Sequence, residues 1–404
     1  MASGLRAQYL HGVEYRWHDS ATTIDAAQWN HLAERAGPTP LLNHEWLHHL
    51  ERSGSTTAET GWIPRHLTLH EEGRIVGAVP LYLRDNSWGE FVFDFAFAEV
   101  ADQIGAPYYP KLVGMSPATP STAYAILVEP GREDELCPLL MGEIHRYCHD
   151  EAIPVLQFNY VLPAWRKRLE EQGLVPWEHH GYQWFNEEYR SFEDYLGRFR
   201  KGQRRNIRRE RASIPAQGLS TRIISGLDAP DSLFQRMARY YGKTNEQFGP
   251  WAARFLTDRF FTTMPREVRR HLWFAAAFPA GETRWAGETG SIGDPPALAM
   301  LVRKGDHLLG RYWGTRIQAN NLHFELCYYT PMEWAIREGI RTFDPGMGSE
   351  HKVRRGFRSL PVTSMHRFFD PRMEAILRAN IGRINAMERR RIALLDAAVP
   401  YKGV

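Results

Sequence analysis

The chain runs twice through one order of patterns: helix, antiparallel strand runs, helix, strand. In the first half, DAAQWNHLAERAG and NHEWLHHLERSG read as helices that stop at glycine, and RHLTLHEEGRIVGAVPLYLRD as two strands joined at Glu71-Glu72-Gly73. EDELCPLLMGEIHRYCHD has helical periodicity and IPVLQFNYV reads as a strand. In the second half, SFEDYLGRFRKGQRRNIRRERASI predicts one long helix, LSTRII a strand, and residues 230–263 further helix punctuated by Gly249-Pro250. HLWFAAAF, ALAMLVRKG and HLLGRYWGTR predict three strands, MEWAIREG a helix and RTFDPG a strand end. This order suits a duplicated α/β (α+β) unit with mixed sheets flanked by helices, rather than one doubly wound sheet. The expected divisions are residues 1–185, 186–370 and a basic helical tail, 371–404. FVFDFAFAEVAD is too evenly apolar for periodicity to separate strand from buried helix.

A length of 404 residues points the same way, to two or more domains. No apolar run is long enough for a spanning helix, and the first twenty residues lack the apolar core of a secretory signal. Cys137, Cys148 and Cys327 are odd in number and widely spaced, which fits neither a disulfide framework nor a zinc knuckle. The expected compartment is the reducing cytoplasm.

Net charge is only +3, yet RKGQRRNIRRER at 200–211 gathers seven Lys and Arg against the single acid Glu210. Ser191, three residues before Asp194, makes a capping-box start. Phe192, Leu196, Phe199 and Ile207 fall near one face. Lys201, Arg204, Arg205 and Arg208 share the adjoining face, Arg200, Arg209 and Arg211 widen it, and Pro215 and Gly218 end the helix. Such a segment docks its apolar stripe and turns guanidinium groups outward. A planar guanidinium can hold phosphate oxygens through two hydrogen bonds. The strip therefore reads either as a phosphate or nucleic-acid contact or as a solvated basic face.

LGRFRKGQRRNIRRERASIPAQGLSTRI, FQRMARYYGKTNEQFGPWAARFLTDRF and RTFDPGMGSEHKVRRGFRSLPV resemble three segments of the Fem-type peptidoglycan aminoacyltransferases. These are the basic helix leading to a strand, the helical stretch after it, and a C-terminal element with an Asp, a glycine loop and a Lys-rich Gly-Phe. FVFDFAFAEVADQIGAPYYPKL, HFELCYY and GSEHKVRRGF are similar to signatures of a bacterial branch of predicted N-acyltransferases. The resemblance covers most of residues 40–370. It implies two tandem GNAT-like acyltransferase domains with the site in a cleft, no bound cofactor, and amide formation on a small-molecule or cell-wall-like amine. In the Fem type the co-substrate is aminoacyl-tRNA. That donor would give Lys201, Arg204, Arg205, Arg208 and Arg209 a tRNA backbone to contact. Acyl-CoA-dependent GNAT proteins usually carry a glycine loop for the pyrophosphate. Here RIQANNLHFE, which has no glycine, follows HLLGRYWGTR. Aminoacyl-tRNA is thus the expected donor and acyl-CoA the alternative. A non-catalytic RNA-binding protein of the same fold is a second alternative.

Amide formation from an activated ester needs a neutral amine, a proton acceptor and donors for the tetrahedral oxyanion. HFELCYY and GSEHKVRRGF carry such groups. The candidate catalytic residues are His323, Glu325, Glu350 and His351. Lys352, Arg354 and Arg355 are candidates for holding phosphate or developing negative charge, and Asp94, Tyr109, Lys111, Tyr328 and Tyr329 for contacting the acceptor. Glu325 and Asp94 can equally be buried carboxylates paired for structure, and Tyr312 and Trp313 read as core aromatics. HEWLH at 44–48 matches a zinc-hydrolase motif, but no third ligand follows it, and no metal site is expected. GMGSEH reads as a turn that lets backbone approach a ligand. No nucleophile stands out, so the expected step is direct attack by the acceptor amine without a covalent enzyme intermediate.

Overall fold

The computed structural model describes residues 6–10, 12–247, 254–282, 293–348 and 350–403. The chain forms two compact units, one made of Met1–His179 and Pro361–Arg390, the other of His180–Leu360 and Arg391–Val404. The Gly249-Pro250 punctuation lies outside the described residues. The observed boundary falls inside the strand Val175–Phe185. The expected separate tail is instead shared: residues 371–390 belong to the first unit and 391–404 to the second. Periodicity explains this. Met373, Leu377 and Ile381 recur every fourth residue of the helix Pro371–Ala397 and are buried with Val155, Val175 and Phe368. Val399 and Tyr401 join a different core, with Phe199 and Phe357.

The first unit holds an antiparallel sheet of Arg6–Leu10, Val13–His18, His66–Glu71, Arg74–Val79 and Leu127–Val128, in that spatial order. The expected hairpin turns through Glu72 (φ 47°) and Gly73 (φ 79°), the left-handed pair that a two-residue hairpin loop requires. A second group of strands runs Ile63–Pro64, Tyr82–Arg84, Lys111–Gly114 and Val155–Val161, the last two parallel. Thr363–Phe368 pairs antiparallel with Val155–Val161. The ambiguous aromatic run becomes the helix Phe95–Gln103, which buries Phe97 and Ala101 one turn apart.

In the second unit Leu219–Ser225, Leu272–Pro279, Ala297–Lys304 and His307–Thr315 form a consecutive antiparallel sheet. Thr342–Asp344 adds parallel to the last of these, and Trp184–Phe185 pairs with its other side. The basic segment is two helices, Phe192–Gly197 and Lys201–Ala216, not one. Arg200 N–H donates to Pro400 O at 2.9 Å and Lys402 N–H to Arg198 O at 2.8 Å, so the chain's last residues take backbone groups that a continuous helix would use. The apolar stripe is as expected, with Phe192, Leu196, Phe199 and Ile207 all buried. Ser191 Oγ accepts from Asp194 N–H at 3.1 Å, completing the predicted cap. HFELCYY comes after the strand His307–Thr315 and a short loop, and lies in a helix: Leu322–Phe324, a wide π turn over Glu325–Tyr329, then Thr330–Arg337. Gly356 has φ 82°, and a Cβ there would lie 2.1 Å from Tyr195 Oη, which explains the glycine of RRGF. No helix among the described residues is long and apolar enough to cross a membrane.

Candidate active site

His307–Thr315 and Thr342–Asp344 run parallel but pair only as far as Leu309 and Asp344. Beyond that point they part. One strand continues through Gly310–Trp313; the other turns away at Pro345 into Gly346 (φ 79°) and Gly348 (φ 123°). A cavity of about 270 Å³ fills the fork, with the helix carrying His323 and Tyr328 on one side and the turn Glu350–Arg355 on another.

Lys352 enters this cavity almost wholly buried. Its Nζ donates to Gly346 O at 2.9 Å and Met347 O at 2.8 Å. Burial pulls its pKa from 10.5 down to about 8, with Asp344 opposing the shift and Arg311 assisting it. His351 Nε2 hydrogen-bonds Tyr328 Oη at 3.0 Å. Burial, with the charges of Arg355 and Lys352, holds His351 neutral with a pKa of about 4. His323 is lowered to about 4 by burial and by neighbouring His351, Lys352 and Arg355; its ring lies 4.9 Å from that of Trp313. At neutral pH the cavity therefore offers neutral imidazoles beside an ammonium.

The structure brings His323, Tyr328, His351 and Lys352 together, and it adds Tyr312 and Trp313, which line the cavity and are not merely core. It sets the other candidates apart. Glu325 is 3% exposed; its Oε1 accepts from Arg211 Nη2 at 3.0 Å and from Thr330 Oγ1 at 2.9 Å, and it borders a separate groove with Phe192 and Arg208. Glu350 is exposed and pairs with Arg391 at 3.5 Å. Tyr329 Oη donates to Glu210, which also takes Arg355 Nη2 at 2.9 Å. Arg355 lies over the Phe324 ring at 3.3 Å, and Arg354 is exposed.

Along the basic helix Arg208 pairs with Glu193 at 2.5 Å and Arg209 donates to Asn206 at 2.6 Å. The side chains of Lys201, Arg204 and Arg205 have no carboxylate partner among the described residues; Lys201 and Arg205 are exposed and Arg204 half-buried. A second cavity, about 710 Å³, lies between this helix and the Glu350–Arg355 turn, bordered by Gln203, Asn206, Arg354 and Arg355. His351 lines both cavities.

Asp94, Tyr109 and Lys111 sit in the first unit, whereas Tyr328 and Tyr329 sit in the second. Lys111 Nζ is fully buried and donates to Ser87 Oγ at 2.7 Å, Glu90 Oε2 at 2.8 Å and Asp94 Oδ2 at 2.5 Å. Tyr108 Oη donates to Asp94 at 2.8 Å, and Tyr109 Oη meets Ser87 Oγ at 2.8 Å. Burial alone would raise Asp94, but the charge and hydrogen bond of Lys111 outweigh it and hold the carboxyl low. His44 of the HEWLH run hydrogen-bonds Ala21 O through Nε2 at 2.7 Å. Sequence reading missed Arg311, Cys327 and Met347 as cavity residues. Of these only Arg311 carries a signal, as a lone cation in the apolar run HLLGRYWGT.

Comparison with known proteins agrees with this architecture. The FemAB-like family model, described as peptidoglycan biosynthesis/recognition, matches residues 20–403. The crystal structure of FemX is similar at TM-score 0.52 and 12% identity, covering 88% of this chain and 98% of that one. The C-terminal domain of a putative lysylphosphatidylglycerol synthetase from Agrobacterium fabrum is similar at TM-score 0.52 and 10% identity, covering 95% and 98%. A tandem GNAT protein from the clavulanic acid biosynthesis pathway aligns at TM-score 0.43 and 13% identity, covering 89% and 99%. No curated protein matches the chain. With two units, each of sheet and helices, and a family match over almost its whole length, the chain belongs to the FemAB-like family of peptidoglycan biosynthesis/recognition proteins and has a fold similar to that of FemX.

Proposed function

We propose that this protein is an acyltransferase that joins the acyl group of an aminoacyl-tRNA to an amine acceptor, with the ester carbonyl seated in the fork of the second unit. The observation that carries the reading is Lys352, a buried ammonium held by two main-chain carbonyls where two parallel strands part. The neutral acceptor amine attacks the ester carbonyl carbon. A C–N bond forms, the C–O bond to the ribose breaks, the amine loses a proton and the ribose oxygen gains one. Lys352 stabilises the oxyanion of the tetrahedral intermediate. The His351–Tyr328 pair carries the proton: the imidazole is neutral and accepting at pH 7, and its low pKa makes it pass a proton on rather than keep it.

Lys201, Arg204 and Arg205, unneutralised by carboxylates among the described residues, supply the phosphate contacts, and the larger cavity, lined by Gln203 and Asn206 of the same helix, shares His351 with the fork. The acceptor is an amine of the peptidoglycan-precursor class, the setting a bacterial cytoplasm. The test offers charged bulk tRNA, or a panel of acyl-CoAs, with an amine mixture, and follows transfer by mass spectrometry with and without ribonuclease. Ribonuclease-sensitive transfer is expected. Transfer from CoA thioesters that ignores ribonuclease would move the donor assignment to acyl-CoA and leave the fork as the acyl site.

A further inference from the structure

Within the fork, the register between Ala297–Lys304 and His307–Thr315 slips by one residue. Met300 pairs with Tyr312 and Leu301 with Gly310, so Arg311 is the extra residue of a β-bulge. A bulge re-aims one side chain, and Arg311 lines the fork cavity. Its Nη1 is buried and has no hydrogen-bond partner. Arg355 and Arg211, also in this unit, are paired with Glu210 and Glu325. Asp344 acts on Lys352, and none of the described cavity-lining residues is an acid. A guanidinium left with a vacant donor in a walled cavity suits a planar oxyanion that accepts two hydrogen bonds. At about 270 Å³ the fork is smaller than the roughly 300–1,000 Å³ of drug-sized ligand sites. It accommodates an amino-acid-sized group and not a nucleotide.

We propose that the acyl group transferred carries a carboxylate and that Arg311 binds it, making the donor an acidic aminoacyl ester of the aspartyl or glutamyl type. This rests on the reading of the fork as the acyl seat. Calorimetry on the full chain would compare glutamic acid α-amide, the neutral isostere glutaminamide, and inorganic phosphate, with wild type, Arg311→Gln and Arg311→Lys. The expected result is at least tenfold tighter binding of the acidic amide than of glutaminamide, lost in Arg311→Gln and partly kept in Arg311→Lys. Equal affinity for the two amides, insensitivity to Arg311→Gln in a folded variant, or binding of phosphate alone would overturn the proposal. Should Arg311→Gln not fold, the wild-type discrimination and Arg311→Lys decide it. Binding is read without turnover, so the two readings fail separately. Arg311-dependent discrimination with no transfer from any donor sinks the acyltransfer reading of the fork, whereas transfer without preference for acidic acyl groups sinks the subsite.

Discussion

Replacing Lys352 by methionine should change the pH dependence of stability in a calculable way. Lys352 is 3% exposed, and burial brings its pKa from 10.5 in the unfolded chain to about 8 in the native one. Between those values the unfolded chain binds a proton that the native state does not, so native stability rises with pH by about 1.4 kcal/mol per unit. Over the interval of ~2.5 units (10.5 minus 8) the contribution reaches about 3 kcal/mol. It is complete above pH 10.5 and lost as pH falls to 8. Urea unfolding of wild type and Lys352→Met, at intervals from pH 7 to 10.5, isolates the effect as a difference in which the other titrating groups cancel. The difference should be flat below pH 8 and then move by about 3 kcal/mol in favour of the wild type. A flat difference across the whole window would show that the native ammonium is not desolvated, and the argument for Lys352 as the oxyanion donor would go with it. Acyl transfer should run the opposite way and fall above pH 8, because the protonated form is the one that stabilises the oxyanion.

Three further outcomes follow from the contacts. Glu325→Gln should take from Arg211 the buried one of its two carboxylate partners, leaving Glu333 at 2.7 Å, and cost about 1–3 kcal/mol in thermal unfolding, while activity per folded molecule holds; adding Arg211→Met should recover part of the loss. Lys111→Met should destabilise the first unit by about 3–5 kcal/mol, because it leaves buried Asp94 without a cation and Glu90 with Arg84 alone, with Asp94→Asn as partial rescue; an unchanged melting temperature would refute the account of that cluster. Lys201→Glu with Arg205→Glu should weaken tRNA binding roughly tenfold at low salt and flatten its salt dependence, read by filter binding across a salt series.

The sequence was legible where local chemistry decides. Ser191 caps its helix, Glu72-Gly73 turns its hairpin, and the apolar stripe Phe192–Ile207 docks because each is a contest within a few residues. It was not legible where distant residues intervene. The helix break at Arg200 depends on Pro400 and Lys402. The aromatic run becomes helical beside Glu90 and Asp94, whose charges are met by nearby Arg84 and by Lys111, the latter outside any local window. At the candidate site, the motifs HFELCYY and GSEHKVRRGF flank the fork and place His323, Tyr328, His351 and Lys352 around it. They could not separate those residues from Glu325 and Tyr329: one turn of helix decides whether a side chain meets the cavity or an arginine. Arg311 escaped because a lone cation beside Gly310 in a strand run hints at a bulge without saying which side chain it turns into a cavity.

The return of residues 361–390 to the first unit bears on how the protein is made. Thr363–Phe368 completes one flank of Val155–Val161, and Met373, Leu377 and Ile381 complete the core beneath it. On a ribosome adding about 5–20 residues per second, roughly 10–40 s separate residue 179 from residue 390. Throughout that interval the nascent first unit exposes an unsealed strand edge and an uncovered apolar face, the combination that invites mispairing. Both units therefore mature only once residues 361–401 have been made, and a nascent chain arrested near residue 360 should depend on chaperones for its solubility.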